Sequence, residues 1–117
     1  LEKTSCLDIG QSVVVEAGQV LGIETAQGTK QMLEYVRDTS SLLRRAGGGV
    51  LVKREKIKQD LRVDMPTIGP ETIRQVHEAK LDAVIISPNT VIVIKQDECF
   101  RLCKKFSLSF IVRERDK

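Results

Sequence analysis

Two short runs, Ala83–Ile86 and Val91–Ile94, are nearly all aliphatic, with Ser87-Pro88-Asn89-Thr90 between them. Runs of this length and composition, bounded by turn residues, fit strands covered on both faces. Covering both faces of a strand calls for packed helices, and the sequence supplies three helical stripes. Met32, Leu33 and Val36 make the first; Ile73 and Val76 the second; Cys99, Leu102, Cys103 and Phe106 the third. Spacings of three and four residues put each set on one helix face.

The remaining segments fill in around these. Residues 1–10 are a polar lead. Gln11–Glu16 reads as a strand through Val13, Val14 and Val15, Ala17-Gly18 as a turn and Val20–Thr25 as a second strand, together a hairpin. Gly28-Thr29 opens the first helix, with Thr29 as its N-cap, and Thr39-Ser40-Ser41 breaks it. Leu42–Ala46 is a short helical piece stopped by Gly47-Gly48-Gly49. Val50–Lys53 is a strand, Arg54–Lys58 a charged loop, and Asp60–Met65 alternates again as a strand. Gly69-Pro70 starts the next helix with Pro at its first position, and this helix runs to about Lys80. Asp97 caps the third helix, and Lys104 and Lys105 sit at its C-terminal end, where the dipole favours cations. Leu108–Val112 is a last strand and Arg113–Lys117 a charged tail. With Leu42–Ala46 set aside, the order is β-β-α-β-β-α-β-β-α-β. That is an α/β fold, a mixed sheet with helices packed on it, and 117 residues make one compact domain.

Composition excludes several function classes. Aromatics are 3%, too few for a stacking platform for single-stranded nucleic acid, and a net charge of +3 does not imply a nucleic-acid partner. The three cysteines show no C-x2-C spacing; Cys99 and Cys103 read as buried free thiols, which fits a reducing compartment. There is no signal peptide, and no apolar run approaches the about 20 residues a membrane helix needs. Phosphate-binding, dinucleotide-binding, nucleophile-elbow and zinc-protease motifs are all absent. His77 is the one histidine, on a helix with no nucleophile or ligand pattern around it, so it reads as a surface or boundary residue. Chemistry here must run on carboxylates and basic side chains, with or without a metal.

Those residues concentrate between Gly47 and Pro70. In an extended Asp60–Met65, Asp60, Arg62 and Asp64 share one face and Leu61, Val63 and Met65 the other. Two carboxylates and a guanidinium, with Lys53 and Lys56 close in sequence, suit a polyphosphate held with a divalent metal. Composition alone favours the plainer alternative, an edge strand with a solvated polar face. Gly28-Thr29, a helix start after a strand, can present free N–H groups to an anion, although most such starts hold none.

Several stretches in one order resemble a known family. They are D-I-G-Q-S-V-V-V at 8–15, Gly28-Thr29 with Met32-Leu33, and G-G-V-L-V-K at 48–53. Gln59-Asp60-Leu61-Arg62-Val63-Asp64-Met65-Pro66 and Ile68-Gly69-Pro70 with Thr72 follow. Together they resemble the carboxy-terminal domain of the LpxI family, the I-type UDP-2,3-diacylglucosamine diphosphatases of lipid A biosynthesis. The resemblance implies a two-domain enzyme, with this catalytic domain behind an amino-terminal Rossmann-like domain that the chain does not contain. The implied reaction cleaves a pyrophosphate bond to give UMP and 2,3-diacylglucosamine 1-phosphate, with Mg2+ or Mn2+. A cytoplasmic enzyme peripheral to the inner membrane is implied, bound to a lipid-linked nucleotide sugar and to its own amino-terminal domain; homo-oligomerisation stays open.

On this reading Asp60 is the catalytic carboxylate, as metal ligand or as the group that orients water, and Asp64 is a second metal ligand. Lys53, Lys56 and Arg62 contact phosphate. Gln11, Thr29 and Gln59 bind substrate, and Asp8 either caps a turn or belongs to the site. The sequence departs from the family where Gln27 and Lys30, not acids, flank Gly28-Thr29, and where Ile57 replaces an expected proline. The missing acids favour an alternative, a non-catalytic nucleotide-sugar or lipid-binding module of the same fold. A dimerisation domain whose apolar strands meet a partner is a third reading.

Overall fold

Branched side chains pack well on a pleated surface, and the valines of Ser12–Glu16 and Val50–Lys53 open the sheet. The computed structural model describes residues 12–24, 27–39, 44, 48–54, 66–88 and 91–113. Strand β1 (Ser12–Glu16) turns back into β2 (Gln19–Ile23) through Ala17 and Gly18, both with positive φ. Two left-handed central residues match the twist of a two-residue hairpin. Then come α1 (Thr29–Arg37), β3 (Val50–Lys53), β4 (Thr67–Ile68), α2 (Pro70–Glu78), β5 (Ala83–Ile86), β6 (Ile92–Val93), α3 (Gln96–Phe106) and β7 (Ser109–Val112).

The main sheet has the order β2-β1-β3-β5-β7. β1 is antiparallel to both neighbours, while β3, β5 and β7 are parallel. Helix α2 packs against both α1 and α3, so the three lie side by side. Their apolar stripes meet the sheet in one core containing Val14, Leu33, Val36, Leu51, Ile73, Val76, Val84 and Cys99. The mixed α/β sheet and its packed helices are therefore as the sequence predicts. Among the described residues no helix is long and apolar enough to cross a membrane.

Four expectations need correction. Val91–Ile94 is not a strand covered on both faces: Ile92–Val93 pairs with Thr67–Ile68 in a separate two-stranded ladder, leaving Ile92 43% and Ile94 48% exposed. The short ladder lies apart from the main sheet, and one side of the segment faces outward. Thr29 is the first helical residue and Gly28 the N-cap, at φ 97, where glycine avoids a Cβ clash. Lys95, not Asp97, caps α3; Asp97 lies in the first turn, where its charge still complements the dipole. Helix α2 ends at Glu78, and Lys80 instead takes a left-handed φ of 62. The expected helix Leu42–Ala46 and strand Asp60–Met65 fall outside the described residues, Arg44 excepted.

Two helices hand over to parallel strands in the same way. After α2, Lys80 N–H donates to His77 O and Leu81 N–H to Val76 O. After α3, left-handed Ser107 donates to Lys104 O and Leu108 to Cys103 O. Each closure satisfies carbonyls that a helix end leaves open, and each buries a leucine just before β5 or β7. Cys99 and Cys103 are buried free thiols, and burial pushes both up from the ordinary thiol range.

At that end of the domain Arg44 reaches across three elements. Its Nη2 pairs with Glu16 Oε1 at 3.0 Å, with side-chain exposures of 8% and 2%. Nη1 donates to Ala79 O at 2.6 Å and Val36 O at 3.2 Å, and Nη2 also reaches Lys80 O at 3.3 Å. Removing one partner of a buried pair leaves the other charge uncompensated, at a cost of about 3–5 kcal/mol. Arg44→Ala is expected to lose stability on that scale in urea unfolding, and a loss below about 1 kcal/mol would mark the pair as screened like a surface one.

Candidate anion-binding site at the strand ends

Parallel strands bring their C-terminal ends to one edge of a sheet, and ligands of open α/β sheets bind outside that edge. Here the edge carries Lys53, last residue of β3. Register places it beside Ser12 of β1 and Ile86 of β5. Strand β2 runs antiparallel to β1 and so delivers the chain to the same edge, where α1 begins at Thr29.

The side chains form a continuous relay. Lys53 Nζ donates to Thr29 Oγ1 at 2.9 Å. Thr29 Oγ1 donates to Glu24 Oε1 at 2.6 Å, and Ser12 Oγ donates to the same carboxylate oxygen at 2.7 Å. The main-chain N–H of Glu24 donates to Ser12 O at 3.0 Å. Lys53 is 5% exposed. Burial pushes its ammonium below the ordinary lysine range, and the charge of Glu24 pushes it back up. One residue beyond Ile86, Ser87 is buried, and among the described residues its Oγ has no hydrogen-bond partner.

Of the sequence-predicted site residues, Thr29 and Lys53 are brought into contact. Gln11, Lys56, Gln59, Asp60, Arg62 and Asp64 lie outside the described residues, as do Asp8 and Ile57. Gln27 and Lys30, beside the helix start, are exposed. His77 is exposed as expected and stacks on Phe106, ring centroids 4.0 Å apart. Sequence reasoning missed Glu24, Ser12 and Ser87. Glu24 carried a signal: it is the one acid between Ile23, where β2 ends, and the Gly28-Thr29 helix start. Ser12 and Ser87 had none, because their importance comes from strand register.

Among the described residues no group of three or more His, Cys, Asp or Glu side chains could hold a metal. Glu24 offers one carboxylate, with Oε1 already taken by two hydroxyl groups. Beside the relay, a groove of about 310 Å³ runs between β2 and α1, lined by Gly22, Ile23, Gln27, Gln31, Met32 and Tyr35. Gln27, Gln31 and Tyr35 follow at four-residue spacing from the helix start, so the groove tracks one side of α1 away from Thr29.

The family model of the LpxI C-terminal domain matches residues 1–111. The chain is 38% identical over 94 residues to the UDP-2,3-diacylglucosamine pyrophosphatase LpxI of Caulobacter vibrioides, covering 78% of this chain and 34% of that protein. It therefore spans about a third of the length of that relative. In fold it is similar to the dCMP deaminase of cyanophage S-TIM5, solved with dCMP and dUMP, at a TM-score of 0.55 and 12% identity. That alignment covers 96% of this chain and 90% of the deaminase. At such identity the likeness concerns fold alone. The five motif stretches, the α/β sheet and the match over residues 1–111 lead to one conclusion: the chain belongs to the LpxI C-terminal domain family.

Proposed function

We propose that this domain is the catalytic part of an enzyme that hydrolyses the pyrophosphate bond of UDP-2,3-diacylglucosamine in lipid A biosynthesis. The products are UMP and 2,3-diacylglucosamine 1-phosphate. Family membership supports the reaction, and the observation that carries the site is the buried Lys53 ammonium against the start of α1. An ammonium has three donors. Among the described residues one goes to Thr29, and the other two can serve the oxygens of an anion. The first N–H groups of α1 lack intrahelical acceptors and sit at the positive end of its dipole, which suits the same anion. In hydrolysis the oxygen of water joins one phosphorus while the bridging oxygen leaves with the other phosphate. Charge builds on both sets of oxygens, and a fixed cation with little water around it stabilises that charge.

Asp60 orients the attacking water and accepts its proton, and Arg62 and Lys56 share the phosphate charge. Gln11 and Gln59 hydrogen-bond the substrate. A divalent cation, Mg2+ or Mn2+, would be held by Asp60 and Asp64, whose hard oxygens suit it, and when bound it would polarise a phosphoryl oxygen. The apolar groove along α1 fits an acyl chain of a substrate whose diphosphate sits at Lys53. The enzyme would then work at the cytoplasmic face of the inner membrane, together with its amino-terminal domain. Gln27 and Lys30, in place of acids, favour a second reading, a binding module that has kept the fold and lost turnover.

One assay separates the two. Full-length protein with the lipid nucleotide and Mg2+ is expected to release UMP, and excess chelator to stop it. Binding without UMP release would establish the module instead. Asp60→Ala is expected to lower turnover at least ~10²-fold, the low end for a positioned acid–base group, with melting unchanged. Near-normal turnover would remove Asp60 from the mechanism. Lys53→Met keeps a flexible buried side chain without the charge, and is expected to lower kcat/KM by about 10²-fold, on the scale of losing one preorganised donor.

A further inference from the structure

We propose that Glu24 is the positioning residue of this site. Its carboxylate takes the hydroxyl protons of Thr29 and Ser12, which leaves the Thr29 oxygen as the acceptor that aims the Lys53 ammonium at a bound phosphate. This rests on reading the site as one for phosphate, and it adds a residue that touches neither substrate nor metal.

The argument begins with the proton count. A threonine hydroxyl has one proton and two lone pairs. Thr29 spends its proton on Glu24 at 2.6 Å, so only lone pairs face Lys53, from which it accepts at 2.9 Å. With no acceptor at Glu24, the hydroxyl turns freely and its lone pairs are no longer held toward the ammonium. The anchor of a long side chain is then loosened. Thr29 has no competing duty, because α1 starts without any side-chain capping bond.

Glu24 is itself held on two sides. Its N–H reaches Ser12 O at 3.0 Å, and its Oε1 accepts from Ser12 Oγ at 2.7 Å. Ser12 is fully buried and is the register partner of Lys53. The frame therefore closes on itself: Ser12 to Glu24, Glu24 to Thr29, Thr29 to Lys53, and Lys53 back to Ser12 through the β1–β3 ladder. A carboxylate at this point would repel a diphosphate if it faced the ligand. Set behind the hydroxyl, it offsets the buried cation instead, and it supports the ammonium against the effect of burial.

The test uses the full-length protein and inorganic pyrophosphate as the probe. Calorimetry measures its affinity, and the 15N–13C signal of the Lys53 side chain reports its hydrogen bonding without reference to turnover. Glu24→Ala and Thr29→Val are each expected to weaken pyrophosphate about tenfold, the scale of one charge-assisted hydrogen bond, and to shift the Lys53 signal. Thr29→Ser, which keeps the hydroxyl, is expected to stay within about threefold of the native protein, and Glu24→Gln, which keeps an oxygen acceptor at the same reach but not the charge, to lose less affinity than Glu24→Ala. The double change Glu24→Ala with Thr29→Val is expected to be no worse than the more severe single one, because both act through one contact. Thr29→Val keeps the side-chain volume and gives the reading even where Glu24→Ala unfolds the protein. Native-like pyrophosphate affinity and an unmoved Lys53 signal in Glu24→Ala, or losses that add in the double variant, would overturn the role of Glu24 and leave the phosphate site standing. No pyrophosphate binding by the native protein would overturn the phosphate site and the role together.

Discussion

A buried guanidinium at one end of α1 sets the geometry that the other end relies on. Helix ends leave carbonyls unsatisfied, and burying them without partners is costly. Arg44 answers this for α1 through Val36 O and for α2 through Ala79 O and Lys80 O, while Glu16 at the end of β1 supplies the counter-charge. One side chain thus ties two helix C-termini to the sheet. The packing around it is tight: a Cβ on Gly49 would come within 2.6 Å of Leu81 Cδ2 and 2.9 Å of Glu16 Oε1. The fit is not complete, since among the described residues Glu16 Oε2 and Arg44 Nε have no partner. Buried groups left in that state cost stability, so specificity of arrangement is the better account of the pair than net strength.

The two ends of α1 are therefore pinned by different chemistry. At its C-terminus a cation meets carbonyls, in keeping with the dipole. At its N-terminus the Thr29 hydroxyl joins a cation on β3 to an acid that follows β2. Since α2 packs against α1 and α3, tilting α1 about the Arg44 end would disturb the helix layer as well as the relay. Strand topology places these groups: β3, β5 and β7 run parallel, so turns with buried leucines gather at one edge and Lys53 and Ser87 at the other.

Most of the fold was legible because it rests on local periodicity. The stripes Met32-Leu33-Val36, Ile73-Val76 and Cys99-Leu102-Cys103 are buried as their spacing requires, and Pro70 stands at a helix start. What failed has a physical reason in each case. Val91–Ile94 has the composition of a core strand, yet composition does not say which ladder a strand joins. Thr29 is a good capping residue by type, but Glu24 and Lys53 compete for its hydroxyl. Arg44 was read as part of a short helix, because its partners lie 8 to 36 residues away, beyond the reach of local periodicity. Half of the site was legible in the same limited sense. Lys53 and Thr29 were named from motifs, while Glu24 and Ser12 needed the β1–β3 register to acquire a role.

The retained charge on Lys53 is best weighed against the alternative of having none. Burying an ammonium costs several kcal/mol even after relaxation, and one hydroxyl contact with a carboxylate behind it offsets that only in part. An apolar side chain of similar length at the end of β3 would avoid the cost altogether, and such replacements are often neutral or stabilising. Stability alone therefore gives no account of a lysine at this position. Nearby Ser87, buried with a hydroxyl that has no partner among the described residues, points the same way, since an apolar residue would be more stable there. Lys53 and Ser87 are two buried polar groups at the ends of adjacent parallel strands, at the edge where α1 begins, and that is the edge outside which open α/β sheets bind their ligands.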